Sequence, residues 1–421
     1  MTNVETAFLQ LLRDGISGEM AHDPGLTPSE WNALLSLAKW QKLFPLIYHV
    51  SVGTASYRAA CDTTIEGPKP DAKSLRESVL REISRQVWQE NDLLNILLAL
   101  REEGIEPLVV KGAVLRQLYP FPLLRPSVDE DLLVLPQEVM AVHTALLNCG
   151  LTADDGKADP ETVSELSYHR LQSPTYLEVH QALFEPSSAV YGEFNRYFTG
   201  CFMRATTVKI QDVFIRTLCP QDHLLFLILH SFKHFVHSGF GLRIAADICL
   251  FTKKYADQLE MDAVYSDCRD LRCHRFAAAV YQIGEKYLGV SAPEPFASVQ
   301  CEIGPLLEDM LKAGIHGQDI DRLHSANITL GTIADEKSGK NTSRGSLRAS
   351  LFPPASSLKG RYPYLQKNTW LLPFAWTQRI CGYLVHPHNN SPSVHPVESV
   401  RIGKARVALL RQYGIIGKDD L

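Results

Sequence analysis

Two aspartates, Asp129 and Asp131, stand one residue apart at the start of an apolar run in the stretch VDEDLLVL. If that run is a β-strand, its side chains alternate between two faces, so the aspartates share one face and Glu130 points to the other. Two carboxylates about 5 Å apart repel by about 3 kcal/mol at an effective dielectric constant of about 20. A divalent cation turns this repulsion into attraction, and Mg²⁺ prefers oxygen ligands from carboxylates and phosphates. The spacing therefore predicts a divalent metal site.

A third carboxylate, Glu178, lies in a second predicted strand, TYLEVHQAL. Apolar residues face one side of that strand, while Glu178 and His180 face the other. A carboxylate on a strand beside the two aspartates would complete a two-metal site, in which the ions lie about 3.5 to 4 Å apart. Glu178 is therefore predicted to be the third metal ligand.

Groups that could bind phosphate precede the aspartates. In VVKGAV, a predicted strand ends at Lys111 and Gly112 and a helix begins, so backbone N–H groups there could face an anion. Arg125 follows, four residues before Asp129. An Asp-x-Asp pair alone occurs by chance in many chains, and the simplest alternative is a solvated acidic turn. The whole order of strand, glycine-initiated helix, arginine, aspartate pair and later strand carboxylate favours a phosphate and metal site.

A stripe of histidines follows in DHLLFLILHSFKHFVH. At about 100° per residue, His223, His230, His234 and His237 fall within an arc of about 60° on an otherwise apolar helix. Three interpretations stay open: structural histidines bonded to backbone or acids, contact of His230, Lys233 and His234 with phosphate or substrate, and a zinc site.

The simplest packing lays this histidine helix across the carboxylate face of the sheet. We then expect at least one of His230, Lys233 and His234 within about 10 Å of Asp129 or Asp131, roughly the diameter of a helix. Further along the chain, Arg243 and Asp247 are spaced for a structural ion pair on one helix.

The elements around these residues divide the chain into four predicted regions. Residues 1–104 are helical, with a loop at 52–72 and a long helix at 73–103 that ends at Gly104 and supports the opposite side of the sheet. Residues 105–186 form a small α/β unit, 187–300 are helical, and 301–421 are mostly helical with a polar loop near 333–360. The predicted fold class is α+β, with a small mixed β-sheet embedded in a mostly helical protein.

Composition narrows the class of protein. Of 421 residues, 45% are hydrophobic and 21% are charged, and the formal net charge is -5, which argues against bulk binding of nucleic acid. No apolar run approaches the roughly 18 residues of a membrane span, and the first residues lack the basic start of a secretory signal. The nine cysteines are odd in number and scattered, as is typical of free thiols in a reducing compartment. We therefore expect a cytoplasmic protein without a membrane partner.

One tight cysteine cluster needs a separate interpretation. Cys268, Cys273 and His274 could begin a zinc site, but no fourth ligand is evident nearby. Buried thiols on a helix are the alternative that we favour.

The stretch LVVKGAVLRQLYPFPLLRPSVDEDLLVL resembles a family of uncharacterised bacterial nucleotidyltransferases, in which Lys-Gly, Tyr-Pro and Leu-Arg-Pro precede Asp-x-Asp-Leu-Leu-Val. YLEVHQAL and the histidine helix with LRIAADICL resemble its later segments, so the likeness covers roughly residues 85 to 255. The resemblance implies a metal-dependent palm domain of the DNA polymerase β type, flanked by helices.

Carried over by position, the resemblance makes Asp129, Asp131 and Glu178 the metal ligands, and Lys111 and Gly112 the triphosphate loop. Two positions depart from the wider superfamily. Ala113 stands where a serine usually binds phosphate, and Glu130 stands where an apolar residue usually lies between the aspartates. If Glu130 points into the domain, it needs a basic partner or its pKa rises.

These observations predict a nucleotidyltransferase. With Mg²⁺ or Mn²⁺, it would move a nucleoside monophosphate from a nucleoside triphosphate (NTP) to a small-molecule, peptide or protein acceptor and release pyrophosphate. One alternative is a nucleotide-binding regulator that has lost activity, with Glu130 and Ala113 as the marks of that loss. A second alternative is a zinc-dependent hydrolase that uses the histidine stripe.

Overall fold

The computed structural model describes residues 1–62, 69–156 and 159–314, and further along the chain residues 326, 329–334, 336, 364–385 and 396–417. The chain forms two compact units. The first consists of Met1–Ser231 and Gly241–Ile315, and the second consists of Phe232–Phe240 and His316–Leu421. Most of the polar loop predicted near 333–360 lies outside the described residues.

Helices are the main secondary structure of the described residues, as predicted. The first thirteen are α1 (Asn3–Ser17), α2 (Pro28–Trp40), α3 (Phe44–Ser51), α4 (Ala55–Ala60), α5 (Ala72–Glu102), α6 (Ala113–Arg116), α7 (Val139–Asn148), α8 (Cys201–Arg204), α9 (Pro220–His237), α10 (Leu242–Lys254), α11 (Met261–Asp270), α12 (His274–Ile283) and α13 (Gly304–Ala313). The second unit also contains α14 (Tyr364–Lys367), α15 (Leu372–Val385) and α16 (Pro396–Gln412). Within the described part of the chain, no helix combines the length and the apolar character that crossing a membrane requires.

Local sequence signals account for the starts of two of these helices. At α2, the Thr27 hydroxyl accepts the Glu30 N–H and the Glu30 carboxylate accepts the Thr27 N–H, which satisfies two free donors at once. The Asp71 side chain caps α5, which runs for 31 residues and ends just before Gly104 in the left-handed region. The long helix expected at 73–103 is thus confirmed.

In the described residues, seven strands accompany the helices: β1 (Leu108–Val109), β2 (Glu130–Leu133), β3 (Thr152–Ala153), β4 (Glu165–His169), β5 (Tyr176–His180), β6 (Thr206–Ile210) and β7 (Val213–Thr217). The first five form one sheet in the order β1-β2-β5-β4-β3. In this sheet β2 and β5 run parallel, and all other neighbours are antiparallel. The predicted α+β class with a small mixed sheet is confirmed.

Several elements differ from the expectations. The hairpin of β6 and β7 lies within 187–300, which was predicted to be helical, and β4 was not predicted. Both contribute alternate side chains to the core, among them Ile210, Ile215 and Tyr168, and this period of two is the signal that the helical prediction overlooked. In addition, the predicted loop at 52–72 contains α4, which the Thr54 side chain caps.

The apolar face of the sheet packs on α5 and α7. Leu132 on β2 and Leu177 on β5 are fully buried in one cluster with Leu97 and Leu100 of α5 and Val142 of α7. Because side chains alternate along a strand, the neighbours of these leucines point to the other face. The expectation that the long helix supports the side opposite the carboxylates is confirmed.

Glu130 shares the buried side with this helix layer. Its carboxylate accepts the backbone N–H of Ala113 at 2.6 Å, and the Arg116 guanidinium and the Ser127 hydroxyl, each at 3.1 Å. Gly112 makes this approach possible, because a Cβ there would lie 1.8 Å from Glu130 Oε2. Burial raises the pKa of Glu130, while Arg116 and the Ala113 amide oppose that rise. Both outcomes foreseen for an inward Glu130, a basic partner and a raised pKa, are present.

Arg116 joins this carboxylate to α5. Its guanidinium also donates to Glu90 at 2.8 Å, to the Gln86 side chain at 3.0 Å and to the Ser127 hydroxyl at 2.7 Å. Arg116 and Glu130 are both fully buried. Removal of one partner of a buried ion pair lowers the stability of the fold strongly, because the other charge stays buried without compensation.

Replacing Arg116 with methionine should therefore lower the free energy of unfolding by about 3 to 5 kcal/mol, because two buried carboxylates lose their cation. Urea unfolding followed by circular dichroism measures this change. The control is Arg81→Met on the exposed side of α5, where the pair with Glu77 spans 4.0 Å and should cost about 1 kcal/mol or less. Equal losses in the two variants would contradict the role given to Arg116.

Candidate active site

The parallel pairing of β2 and β5 builds a group of three possible metal ligands. Its register sets Asp131 beside Glu178 and Leu133 beside His180. Side-chain ligand atoms of Asp131, Glu178 and His180 all lie within 4.8 Å of one another. Among the residues that the structure describes, this is the one group of three or more His, Cys, Asp or Glu side chains with such spacing.

Asp131 is the centre of this group. Its Oδ1 atom lies 2.9 Å from Lys111 Nζ and 3.1 Å from His180 Nε2. His180 Nε2 also lies 3.6 Å from a Glu178 carboxylate oxygen. The second Asp131 oxygen, Oδ2, is buried and has no hydrogen-bond partner. A buried oxygen without a partner is costly unless a further ligand, such as a cation, completes it.

Charge coupling sets the protonation of the group. Burial opposes ionisation of Asp131, but the Lys111 ammonium and His180 hold its pKa below the ordinary value. Burial would lower the pKa of His180, but its hydrogen bonds to Asp131 and Glu178 raise that pKa to about 9. Burial likewise opposes the charge on Lys111, whose pKa Asp131 and Asp129 nevertheless raise. The arrangement favours two cationic side chains around the carboxylates.

Asp129 precedes β2, is half-buried and is not part of the three-residue group. Of the three predicted ligands, the structure brings together Asp131 and Glu178, and it adds His180. The sequence signal for His180 was its spacing of two from Glu178 on one face of a strand. The role of Asp129 as a metal ligand stays a prediction.

The predicted phosphate-binding groups have different surroundings. Lys111 reaches the carboxylates, and its side chain is 19% exposed. At the start of α6, however, the Ala113 amide donates to Glu130. That amide is therefore occupied by Glu130, whereas phosphate binding by Lys111 and Gly112 stays a prediction.

Arg125 is buried in an ion pair with Asp247. Its Nε and Nη2 atoms donate to the two carboxylate oxygens of Asp247 at 2.9 and 2.6 Å, and the Tyr119 hydroxyl donates to the same carboxylate. Arg243 donates instead to the carbonyl of Pro126. Asp247 therefore pairs with Arg125, and the expectation that it pairs with Arg243 was wrong. These contacts give Arg125 a structural role.

A family model described as an uncharacterised nucleotidyltransferase matches residues 27–289, which is more than half of the chain. The chain belongs to this nucleotidyltransferase family. The match includes all three members of the carboxylate and histidine group as well as Lys111. No curated protein and no solved structure shows significant similarity to the chain.

In this nucleotidyltransferase family member, the histidine stripe divides into parts with different surroundings. His223 is buried, and its Nε2 atom lies 2.7 Å from the carbonyl oxygen of Val110. His230 Nε2 lies 3.2 Å from Lys111 Nζ, which places it beside the carboxylate group. Lys233, His234 and His237 belong to the second unit.

The contact of Lys233 and His234 with substrate stays a prediction, and so does that of His230. No zinc-like group is found at the stripe, or at Cys268, Cys273 and His274, within the described part of the chain. A hydrogen bond to Cys273 and burial raise the pKa of the Cys268 thiol, which agrees with buried thiols. The zinc hydrolase alternative therefore lacks a site in the residues described.

Burial lowers the pKa of His223 to about 4 from an ordinary 6.5. As the pH falls from 7 to 5, the unfolded chain takes up this proton first, so the free energy of unfolding should fall by about 2 kcal/mol through this group. The variant His223→Gln keeps a donor for Val110 and should lose about 2 kcal/mol less over the same interval, as measured by urea unfolding. The exposed His49→Gln is the matched control. The same pH sensitivity in His223→Gln and the parent would contradict the structural role of His223.

Proposed function

We propose that the protein is a metal-dependent nucleotidyltransferase, which moves a nucleoside monophosphate from an NTP to a small-molecule, peptide or protein acceptor and releases pyrophosphate. The observation that carries this proposal is the meeting of Asp131 and Glu178 on one sheet face, beside Lys111. Membership of a nucleotidyltransferase family supports the same chemistry. The net charge of -5 supports an acceptor other than a large nucleic acid, and we propose a cytoplasmic location.

The residues fit a divalent cation. The unpartnered Oδ2 atom of Asp131 and the Glu178 carboxylate, which is 23% exposed, offer oxygen atoms of the kind that Mg²⁺ and Mn²⁺ bind. His180 would add an imidazole nitrogen once it releases the proton that its raised pKa favours, because a metal ligand must be neutral, and imidazole suits Mn²⁺ better than Mg²⁺. We propose Asp129 as a further ligand from the residue before β2. Such a cation, when bound, neutralises the charge of the triphosphate.

The protein's own residues then have distinct tasks. Lys111 supplies a point charge for a phosphate oxygen, and His230 lies beside it. Glu178 accepts the proton of the acceptor hydroxyl or amine as that atom bonds to the α-phosphorus. The bond from the α-phosphorus to the bridging oxygen breaks, and pyrophosphate leaves with the electron pair. Lys233 and His234 are proposed to contact the triphosphate as well.

A second candidate function is nucleotide binding without transfer. The observation that favours it is the hydrogen bond from the Ala113 amide to Glu130, because that amide is then occupied at the turn expected to hold phosphate. Against this second candidate, Glu130 lies on the buried side of β2, so its hydrogen bonds do not involve the face on which Lys111 contacts Asp131. The two functions differ in one measurement, the release of pyrophosphate.

For transfer, the full-length protein should be incubated with each of the four NTPs, Mg²⁺ or Mn²⁺, and a panel of small-molecule and peptide acceptors, with self-modification also scored. Asp131→Asn with Glu178→Gln should lower pyrophosphate release by about 100-fold or more, because both the metal ligands and the proton acceptor are lost. Asp154→Asn, which changes an exposed carboxylate directly after β3, is the matched control. Turnover that the double variant retains would overturn the proposed site.

Metal binding gives an independent test, because it needs no acceptor. Isothermal titration of the apoprotein with Mn²⁺ should give at least about tenfold weaker binding in Asp131→Asn and in His180→Gln than in the parent. His169→Gln is the control, since His169 lies on the neighbouring β4 and pairs with Asp154 instead. Equal affinities in the His180 and His169 variants would remove His180 from the ligand set.

A further inference from the structure

The first unit contains a cavity of about 350 Å³. Its lining residues include none of Asp131, Glu178 and His180, which we call the metal-ligand group. The end of α2, the start of α3, the middle of α5, the segment before β2 and the start of α10 contribute its walls. Four cationic side chains line it, and we call it the basic pocket: Lys39, Lys42, Arg85 and Arg243. Its volume lies in the range of pockets that hold small molecules, roughly 300 to 1,000 Å³.

The pocket has an excess of positive charge. Its single carboxylate, Glu82, already pairs with Arg85 at 2.8 Å. Neither Lys39 nor Lys42 forms an ion pair with any residue that the structure describes. Cations gathered without enough carboxylates repel one another, and a bound anion relieves that repulsion.

The two lysines are held in place by the local fold. Lys42 has a φ of 53°, a left-handed conformation that residues other than glycine rarely adopt. The Nζ atom of Lys39 lies 4.9 Å from the ring centroid of Phe44, a cation–π contact. A strained backbone retained at a pocket wall is typical of functional sites.

Arg243 supplies a buried donor at the wall. It is 7% exposed, and its Nε atom has no hydrogen-bond partner. Burial and the nearby Arg125 lower its pKa to about 10. An anion beside Arg243 would offset both effects, because it compensates the guanidinium charge and can accept from the unpartnered donor.

The pocket also borders the residues that lead to the metal-ligand group. Val128, one of its lining residues, directly precedes Asp129. The Arg85 and Gln86 side chains bind the carbonyl of Ser127, and Gln89 binds that of Val128. The α5 helix thus fixes the wall of the pocket and the entry into β2 together.

We propose that the basic pocket binds a phosphate group of a substrate. Several fixed cations, including two guanidinium groups, suit a phosphate, which accepts several charge-assisted hydrogen bonds at once. Only the naming of the ligand as a substrate rests on the proposed function. Binding of a phosphate anion in the pocket does not require transfer or a divalent metal.

The test uses inorganic pyrophosphate as the probe, with the full-length protein in EDTA, so that binding through a divalent metal is removed. Isothermal titration should give at least about tenfold weaker binding in Lys39→Gln with Lys42→Asn, since two charge-assisted contacts are lost. Asparagine is chosen at position 42 because it tolerates the left-handed backbone. The exposed Lys253→Ala on α10 is the matched control for charge, and the single variant Lys39→Gln serves if the double variant does not fold.

Two results would overturn the proposal that the basic pocket binds phosphate. One is pyrophosphate affinity that is the same in the lysine variants as in Lys253→Ala. The other is pyrophosphate binding that needs Mg²⁺ or Mn²⁺ and is lost in Asp131→Asn, which places the anion at the metal-ligand group and leaves the proposed function intact. Pyrophosphate binding in EDTA that persists in Asp131→Asn supports the pocket even if no transfer is found.

A competition experiment separates the two sources of the phosphate. If ATP displaces pyrophosphate from the pocket in EDTA, and Lys39→Gln weakens ATP as well, the phosphate belongs to the NTP. If ATP and pyrophosphate bind together, the pocket holds the phosphate of an acceptor. Affinities in either case should fall as salt is added, because the lysines are partly exposed to solvent.

Discussion

The parallel pairing of β2 with β5 is the constraint on which the site depends. Its register sets Asp131 beside Glu178 and also buries Leu132 and Leu177 against α5. A shift of either strand by one residue would bury the carboxylates and expose the leucines, so the apolar core holds the site in register. The cost of gathering carboxylates is met locally by Lys111 and His180, both within hydrogen-bond distance of Asp131. Hydrophobic packing on one face thus supports an electrostatic arrangement on the other.

The same alternation explains Glu130. Because the aspartate face is set by the register, the residue between the two aspartates must point into the α5 layer. There its charge is compensated by Arg116 and by the Ala113 amide, and Gly112 leaves the space for it. The core therefore accommodates a glutamate where the wider superfamily usually has an apolar residue. Through Arg116 and Ser127, the network also ties the turn before α6 and the entry into β2 to the same helix.

Two helices, α5 before the sheet in the sequence and α9 after it, position the groups around the carboxylates. On α9, His223 is anchored to Val110, the neighbour of Lys111. His230 follows two turns later, about 10 Å further along the axis, and it meets the Lys111 ammonium. On α5, polar side chains hold the segment before Asp129, and that segment forms a wall of the basic pocket. The pocket and the metal-ligand group are thereby connected along the chain, since only Asp129 and Glu130 separate Val128 from Asp131.

The sequence by itself determined the α+β class, the long helix, and the carboxylates Asp131 and Glu178, because alternation and helical period are local properties that neighbouring residues reveal. It also revealed that Glu130 needs a partner, but the partner, Arg116, lies 14 residues away and is reached only through folding. The tertiary structure alone decided that His180 lies beside Asp131 and Glu178, that Arg125 binds Asp247, and that His223 of the histidine stripe contacts backbone while His230 contacts Lys111. It likewise decided that β6 and β7 form a hairpin. The partners of Arg125 and of the histidines are far apart in the chain, so no local pattern of residue types encodes them. The period of two in β6 and β7, and between Glu178 and His180, was a local signal, but only folding paired these strands with their neighbours.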